Sequence, residues 1–141
     1  MKVLYTAVAT ADGGRAGGRV VSSDENLDLP VAPPKELGGE GNGTNPEQLF
    51  AAGYAACFHS AVQIVGRRMK QDVSDSTVTA HVDFGTIGGG AFGLGVHLHV
   101  DLPNADPDAR EAIVEKAHEV CPYSNATRGN IEVELVVPAV A

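Results

Sequence analysis

The chain has 141 residues, enough for one domain with a single buried core, and 18 acidic residues against 10 lysines and arginines give a formal net charge of −8. This charge repels phosphate backbones and anionic membranes, which argues against nucleic-acid and membrane-surface partners. Because no apolar run approaches the ~20 residues of a membrane helix and no secretory signal is evident, we expect a cytoplasmic protein.

The first part of the chain predicts a β-hairpin and then a long loop. Residues 2–10 and 18–23 have the pattern of two strands, and the turn between them carries Arg15 at its tip. Its glycines permit positive φ and close backbone approach. Residues 32–45 contain several glycines and prolines and have no apolar period, which predicts a long surface loop. The glycines there do not match a nucleotide-binding motif, so no nucleotide site is predicted.

A long helix is predicted to follow this loop. Asn45 is placed as its N-cap, Pro46 at its first position and Gln48 to bond back to the cap. The helix is expected to run to about Lys70 with Cys57 at its middle. Its side chains are apolar on nearly all sides, which is typical of a helix enclosed by other structure.

Period-two alternation predicts three more strands in the second half of the chain. Residues 77–84 and 94–101 form a second hairpin joined by glycines 88–90, and residues 131–137 form the last strand. On the second hairpin we expect three histidines to be solvated surface residues rather than ligands; they are His81, His97 and His99.

A second helix is predicted between these strands. It opens at Asp106-Pro107 and ends at Pro122, with an apolar stripe of Ala112, Ile113, Ala117 and Val120. Because strands and helices are segregated, the predicted fold class is α+β with a mostly antiparallel sheet.

Cys57 and Cys121 are the two cysteines of the chain. Inert packing is one interpretation of each. In a reducing compartment a cysteine pair more often has a catalytic, redox-sensing or metal-binding role than a structural one. A reactive Cys57 would need a nearby cation to stabilise its thiolate. Arg15 is the best candidate, and its alternative interpretation is a solvated turn arginine. Glu47, in the first turn of the long helix, is a carboxylate that would orient Arg15, although composition alone favours simple compensation of the helix dipole.

A zinc site is the alternative use of these residues. Cys57, His59, His118 and Cys121 have the ligand types of a Cys2His2 site. His118 and Cys121 would share one helix face, but Cys57 and His59 lie about 200° apart around a helix. We therefore predict no metal.

Three segments together resemble one known family: Gly13-Gly14-Arg15, the run from Gly43 to Phe58 and the run from Val120 to Asn130. They are similar to the organic hydroperoxide resistance proteins of the Ohr/OsmC family, and the similarity covers essentially the whole chain. The resemblance implies one OsmC-like domain over residues 1–141. It also implies antiparallel sheets packed around long central helices, and an intertwined homodimer.

The resemblance further implies a thiol peroxidase that reduces organic hydroperoxides and protects against oxidative stress. Cys57 matches the peroxidatic cysteine and Cys121 the resolving cysteine, so a Cys57–Cys121 disulfide is expected during turnover. Arg15 and Glu47 match the pair that activates Cys57, although Arg19 is a rival for the arginine role. The family implies a lipoylated protein or other dithiol as reductant and no cofactor.

Apolar side chains near the expected site predict the substrate class. Leu49, Phe50, Phe58 and Tyr123 neighbour the cysteines in sequence and would bind the organic part of an alkyl or fatty-acid hydroperoxide. Two other functions use the same cysteines, a non-catalytic redox sensor and a small metal-binding protein.

Overall fold

The computed structural model describes residues 1–138. The chain divides into two compact units, Met1–Leu49 and Phe50–Ala141. Each unit contains one three-stranded sheet, and helix α1 begins in the first unit and continues into the second. The predicted α+β class is confirmed.

The first unit contains an antiparallel sheet of three strands in the order β1-β2-β3. The strands are β1 Ala9–Asp12, β2 Gly18–Ser22 and β3 Asp28–Val31. The predicted hairpin is confirmed, but β1 begins at Ala9 rather than at residue 2. The pairing explains this difference, because Ala9 is opposite Ser22, the last residue of β2. β3 was not predicted, since it contains Pro30 and has no period-two alternation.

The turn between β1 and β2 depends on its glycines. It contains a short 3-10 segment, Gly14–Ala16, preceded by Gly13 at φ 84°. A side chain on Gly13 would bring Cβ to 2.0 Å from the carbonyl oxygen of Gly17, and one on Gly18 to 1.7 Å from that of Asp12. The backbone therefore approaches itself too closely for any other residue, as predicted, and presents Arg15 from a fixed turn.

Helix α1, Pro46–Arg68, begins as predicted after a loop that contains a 3-10 turn at Lys35–Leu37 and an isolated β-bridge between Thr44 and Val31. The backbone N–H of Gln48 donates to Asn45 Oδ1 at 2.9 Å, which confirms Asn45 as the N-cap. The Gln48 side chain does not bond back to the cap. Its oxygen instead accepts a hydrogen bond from Thr44 Oγ1 at 3.0 Å.

The second unit contains a sheet in the order β4-β5-β6. Its strands are β4 Thr77–Gly88, β5 Ala91–Asp101 and β6 Val133–Val136. The predicted hairpin of β4 and β5 is confirmed, and β6 pairs with β5 in parallel. On the outer face, His97 contacts Glu134 at 2.9 Å and Asp83 at 3.3 Å, so this surface histidine is held between two carboxylates.

Helices α2, Arg110–Val120, and α3, Pro122–Thr127, complete the second unit. The expectation that Val120 lies on the apolar stripe is wrong, because its side chain is 43% exposed. The buried positions of α2 include Ile113 and Ala117, and the stripe continues to Cys121. Cys121 does not lie within a helix, since its extended backbone (φ −65°, ψ 123°) joins α2 to α3.

The core of the second unit is formed by one face of α1, the inner face of the sheet and α2. From α1 it receives Tyr54, Phe58, Ala61, Val62 and Val65. The expectation that α1 is enclosed on all sides is therefore wrong for the single chain, because only 33% of its most apolar stretch is buried.

One expectation about membranes also needs correction. By length and composition α1 is apolar enough to span a membrane, although no such run was predicted. A single helix of this kind is weak evidence, because core helices of globular proteins meet the same criterion.

Candidate functional site

The two cysteines lie together in the second unit. Cys57, on α1, is partly buried, whereas Cys121, between α2 and α3, is fully buried, and both are free thiols. Cys57 packs against the buried core cluster that contains Cys121, and Cys121 is near enough to raise the pKa of the Cys57 thiol. One thiol of this pair is therefore partly accessible from solvent, and the other is enclosed.

The environment of Cys57 acts against ionisation. Burial raises the pKa of the Cys57 thiol above its ordinary value, and the neighbouring Cys121 raises it further. A hydrogen bond from the backbone of Tyr123 acts in the opposite direction and lowers this pKa. Since the net direction is upward, the thiol pair by itself favours the protonated form of Cys57.

Three aromatic rings form a cluster on α1 and α3, near the two cysteines in sequence. The Tyr54 ring is 5.6 Å from Tyr123 and 6.1 Å from Phe50, and Phe50 is 6.2 Å from Tyr123, measured between centroids. Gly53 makes room for this arrangement, because a Cβ there would lie 2.6 Å from the Tyr123 hydroxyl. Tyr123 remains 38% exposed, so this aromatic cluster has a surface that a ligand can reach.

The four predicted substrate-binding residues therefore differ in position. Phe50 and Tyr123 lie in the aromatic cluster and are partly exposed. Phe58 is fully buried in the core, which does not favour contact with a substrate. Leu49 is half-buried and belongs to the first unit. Binding of substrate by these side chains stays a prediction.

A buried network of hydroxyl groups beside the cysteines was missed by the sequence analysis. The Tyr54 hydroxyl is hydrogen-bonded to Ser124 Oγ at 2.8 Å and to Thr127 Oγ1 at 3.1 Å. Ser124 Oγ is also bonded to Nδ1 of His118 at 2.8 Å. Ser124, a polar residue in the motif that follows Cys121, was the available signal in the sequence. Its partner Tyr54 on α1 lies 70 residues away in sequence, so the contact could not be predicted.

The first unit holds the predicted charged pair. The Arg15 guanidinium donates from Nη1 to Glu47 Oε2 at 2.8 Å and from Nη2 to Oε1 at 2.7 Å. Both amino groups are thus used in a bidentate pair. The rival Arg19 is bound instead to Asp28 through its Nε. Of the two arginines, the structure pairs Arg15 with the predicted carboxylate.

This pair is charged at neutral pH. The hydrogen bonds from Arg15 lower the pKa of the Glu47 carboxyl below its usual range, and Glu47 in turn raises the pKa of Arg15. The Arg15 side chain is 44% exposed, while Glu47 is only 14% exposed. A carboxylate that holds a guanidinium in a fixed plane also fixes the direction of its positive charge.

The alternative zinc site finds no geometric support in the described chain. Among residues 1–138, no three histidine, cysteine or acidic side chains are placed to hold a metal ion. His59 Nε2 is hydrogen-bonded to Ser76 at 2.9 Å, and His118 is bonded to Ser124.

Comparisons with known proteins identify the family. Residues 39–136 match the family described as OsmC-like protein. The organic hydroperoxide resistance protein of Xanthomonas axonopodis pv. citri (strain 306) is 54% identical over 138 residues, which is 96% of each chain. OhrA of Bacillus subtilis (strain 168), also called an organic hydroperoxide resistance protein, is 49% identical over 140 residues, 95% of this chain and 96% of its own.

The fold agrees with this similarity. The crystal structure of an organic hydroperoxide resistance protein from Legionella pneumophila superposes with a TM-score of 0.91 at 51% identity, covering 99% of this chain and 100% of the other. Sequence and structure thus match over nearly the full length. The chain belongs to the Ohr/OsmC family, among the organic hydroperoxide resistance proteins.

Proposed function

We propose that this protein is a thiol-dependent peroxidase that reduces organic hydroperoxides to alcohols. The observation that carries the proposal is the packing of the partly exposed Cys57 against the core cluster that contains the buried Cys121. It is supported by the relatives, which are named for resistance to organic hydroperoxides.

In the first step the Cys57 thiolate attacks one oxygen of the O–O bond. Cys57 takes this role because it is the thiol with solvent access. The O–O bond breaks, the organic oxygen leaves as alkoxide and takes up a proton, and Cys57 becomes a sulfenic acid. The peroxide gains two electrons and the sulfur loses two.

In the second step the Cys121 sulfur attacks the sulfur of the sulfenic acid. A Cys57–Cys121 disulfide forms, the S–O bond breaks, and the oxygen leaves as water with the proton of Cys121. Cys57 already packs against the cluster that contains Cys121, which favours this step. Burial of Cys121 keeps this thiol from direct oxidation by bulky peroxides.

Activation of Cys57 is assigned to the Arg15–Glu47 pair. Since burial raises the pKa of the Cys57 thiol, a cation is needed to favour the thiolate at neutral pH. The Arg15 guanidinium, oriented by two hydrogen bonds to Glu47, has the charge and the planar geometry for this purpose.

The functional form is proposed to be a homodimer. The N-terminal segment before β1 exposes large apolar side chains, and much of the apolar α1 is uncovered in the single chain. Such surface is costly in water and marks an interface. A second copy of the chain would cover both surfaces. Light scattering on the purified protein is expected to give twice the chain mass.

The cycle is closed by a dithiol reductant. We propose a lipoylated protein in the cytoplasm, whose two thiols would reopen the disulfide by exchange and become a cyclic disulfide themselves. A dithiol suits this reaction because its second thiol resolves the mixed disulfide within one molecule.

Turnover of an alkyl hydroperoxide with dihydrolipoamide tests this function. We expect catalytic consumption of peroxide with dihydrolipoamide and little with glutathione, a monothiol. If no hydroperoxide is consumed with any dithiol, and the reduced protein is not oxidised by one equivalent of peroxide, the proposal is wrong.

A further inference from the structure

The hydroxyl network beside the cysteines joins three helices at the level of the thiols. Tyr54 lies on α1 three residues before Cys57, and Ser124 lies on α3 three residues after Cys121. Their hydroxyl groups are 2.8 Å apart. This hydrogen bond therefore connects the backbone segments that carry the two reactive sulfur atoms.

The network is buried and completely satisfied. Tyr54 and Ser124 are 0% exposed, and Thr127 is 3% exposed. Among the described residues, no buried side-chain nitrogen or oxygen lacks a hydrogen-bond partner. Buried polar networks of this kind fix one arrangement, because loss of one member leaves the others unpaired away from water.

The network also fixes the junction between α2 and α3. His118, three residues before Cys121, is bonded through Nδ1 to Ser124 at 2.8 Å. Thr127 Oγ1 donates to the carbonyl oxygen of Ser124 at 3.2 Å. Cys121 lies between these partners with an extended backbone and without a side-chain cap of its own. Its position is set by the residues on either side.

We propose that the Tyr54–Ser124–His118 network positions the resolving cysteine, and so determines whether the Cys57 sulfenic acid forms a disulfide or is over-oxidised. This inference rests on the proposed peroxidase function and adds a positioning role for the three residues of the network. Resolution competes with attack of a second peroxide molecule on the sulfenic acid, which gives a sulfinic acid and a second alcohol. A small displacement of Cys121 slows the first reaction and leaves the second unchanged.

The test compares two variants with three controls. Tyr54→Phe removes only the hydroxyl and keeps the buried ring, and Ser124→Ala removes the hydroxyl at the centre of the network. Thr77→Val and Thr79→Val remove hydroxyl groups from exposed positions of β4, outside the surfaces proposed to form the dimer. Val100→Ala lowers stability through a cavity in the sheet core without touching the network.

The two steps are followed separately in a single turnover, by rapid quench, thiol alkylation and mass spectrometry of the reduced protein. In Tyr54→Phe and Ser124→Ala we expect sulfenic acid to form within about twofold of the wild-type rate, disulfide formation to slow about tenfold, and sulfinic acid to accumulate at high peroxide. The three controls are expected to resolve as fast as the wild type.

Wild-type resolution in both folded network variants would overturn the inference. Equal slowing in Val100→Ala would overturn it as well, because general loss of stability would then explain the effect. Failure of the proposed function gives a different result, because the wild-type protein itself would then form neither the sulfenic acid nor the Cys57–Cys121 disulfide.

Discussion

The Arg15–Glu47 pair and the Cys57–Cys121 pair differ in charge, exposure and the direction of their pKa shifts. In the first unit, Arg15 holds Glu47 in a bidentate pair that keeps both groups charged. In the second unit, burial keeps Cys57 protonated beside a fully enclosed partner thiol. One region supplies charge without a nucleophile, and the other supplies a nucleophile in an environment that disfavours its reactive form. In the proposed mechanism, therefore, neither pair is sufficient alone.

The largest effect should come from removing the charge. Arg15→Ala is expected to slow oxidation of Cys57 about 10²- to 10³-fold, because the thiolate loses its cation. Arg15→Lys should be nearly as slow, since an ammonium group cannot hold Glu47 in a planar fork. Stopped-flow oxidation of the reduced protein measures both rates.

Arg19→Ala is the matched control for this prediction. Arg19 is exposed and bound to Asp28, so its loss should change the rate less than twofold. If Arg19→Ala slows the oxidation of Cys57 more than Arg15→Ala does, Arg19 and not Arg15 is the activating arginine.

The apolar character of the cysteine region predicts a strong preference among peroxides. An alkyl or fatty-acid hydroperoxide can place its chain against Phe50 and Tyr123, whereas hydrogen peroxide has no group to bury. We expect at least about a 100-fold difference in second-order rate, which corresponds to about 2.7 kcal/mol in the transition state. Similar rate constants for the two peroxides would show that these rings contribute only to core packing and do not bind the substrate.

Gly53→Ala should separate stability from activity. The new methyl group would meet the Tyr123 hydroxyl and turn that partly exposed ring outward. Loss of a glycine within α1 favours the helix by up to about 1 kcal/mol, so urea unfolding should show unchanged or higher stability. Oxidation by an organic hydroperoxide should slow about fivefold, with hydrogen peroxide as the unaffected control. A stable variant with the wild-type preference would exclude Tyr123 from substrate binding.

The smallest expected effect is the pH dependence of the folding stability that the Arg15–Glu47 pair contributes. Arg15 lowers the pKa of Glu47, so the pair stabilises the folded state above the unfolded pKa of about 4.3. This stabilisation is lost as the pH falls below that value through the folded pKa. Because Arg15 is 44% exposed, solvent screening limits the contribution to about 1 kcal/mol.

Glu47→Gln provides the comparison for this prediction. Urea unfolding of both proteins at pH 7 and pH 3 should show a difference at pH 7 that shrinks at pH 3. A constant difference between the two proteins at both pH values would contradict the assigned pKa shift.

Local chemistry made part of the fold predictable. The cap by Asn45 depends on residues within one turn, and the inner face of β5 follows from alternation alone, so both were found from the sequence. β3 was missed because Pro30 interrupts its pattern, and the parallel pairing of β6 with β5 is a non-local choice that local sequence does not encode. Val120 was misplaced because the helix ends there and Cys121 takes the buried position.

The site was predictable to a similar extent. Cys57 and Cys121 were identified as a pair by motif resemblance, and the same resemblance paired Arg15 with Glu47, since composition alone favours a helix-dipole role for Glu47. The contact of Tyr54 with Ser124 was not predicted, because the two residues are far apart in sequence. A tyrosine on an apolar helix is also typical of ordinary core packing. The upward direction of the Cys57 pKa depends on burial, which only the structure shows.

Mapping both cysteines after one equivalent of organic hydroperoxide tests the central claim most directly. Alkylation and mass spectrometry should find a Cys57–Cys121 disulfide in the wild type and a sulfenic or over-oxidised Cys57 in Cys121→Ser. In Cys57→Ser the remaining thiol should stay reduced and the peroxide should not be consumed. Equal oxidation of the two single variants, or a wild type whose thiols both survive the peroxide, would contradict the assignment of Cys57 as the nucleophile and Cys121 as its resolving partner.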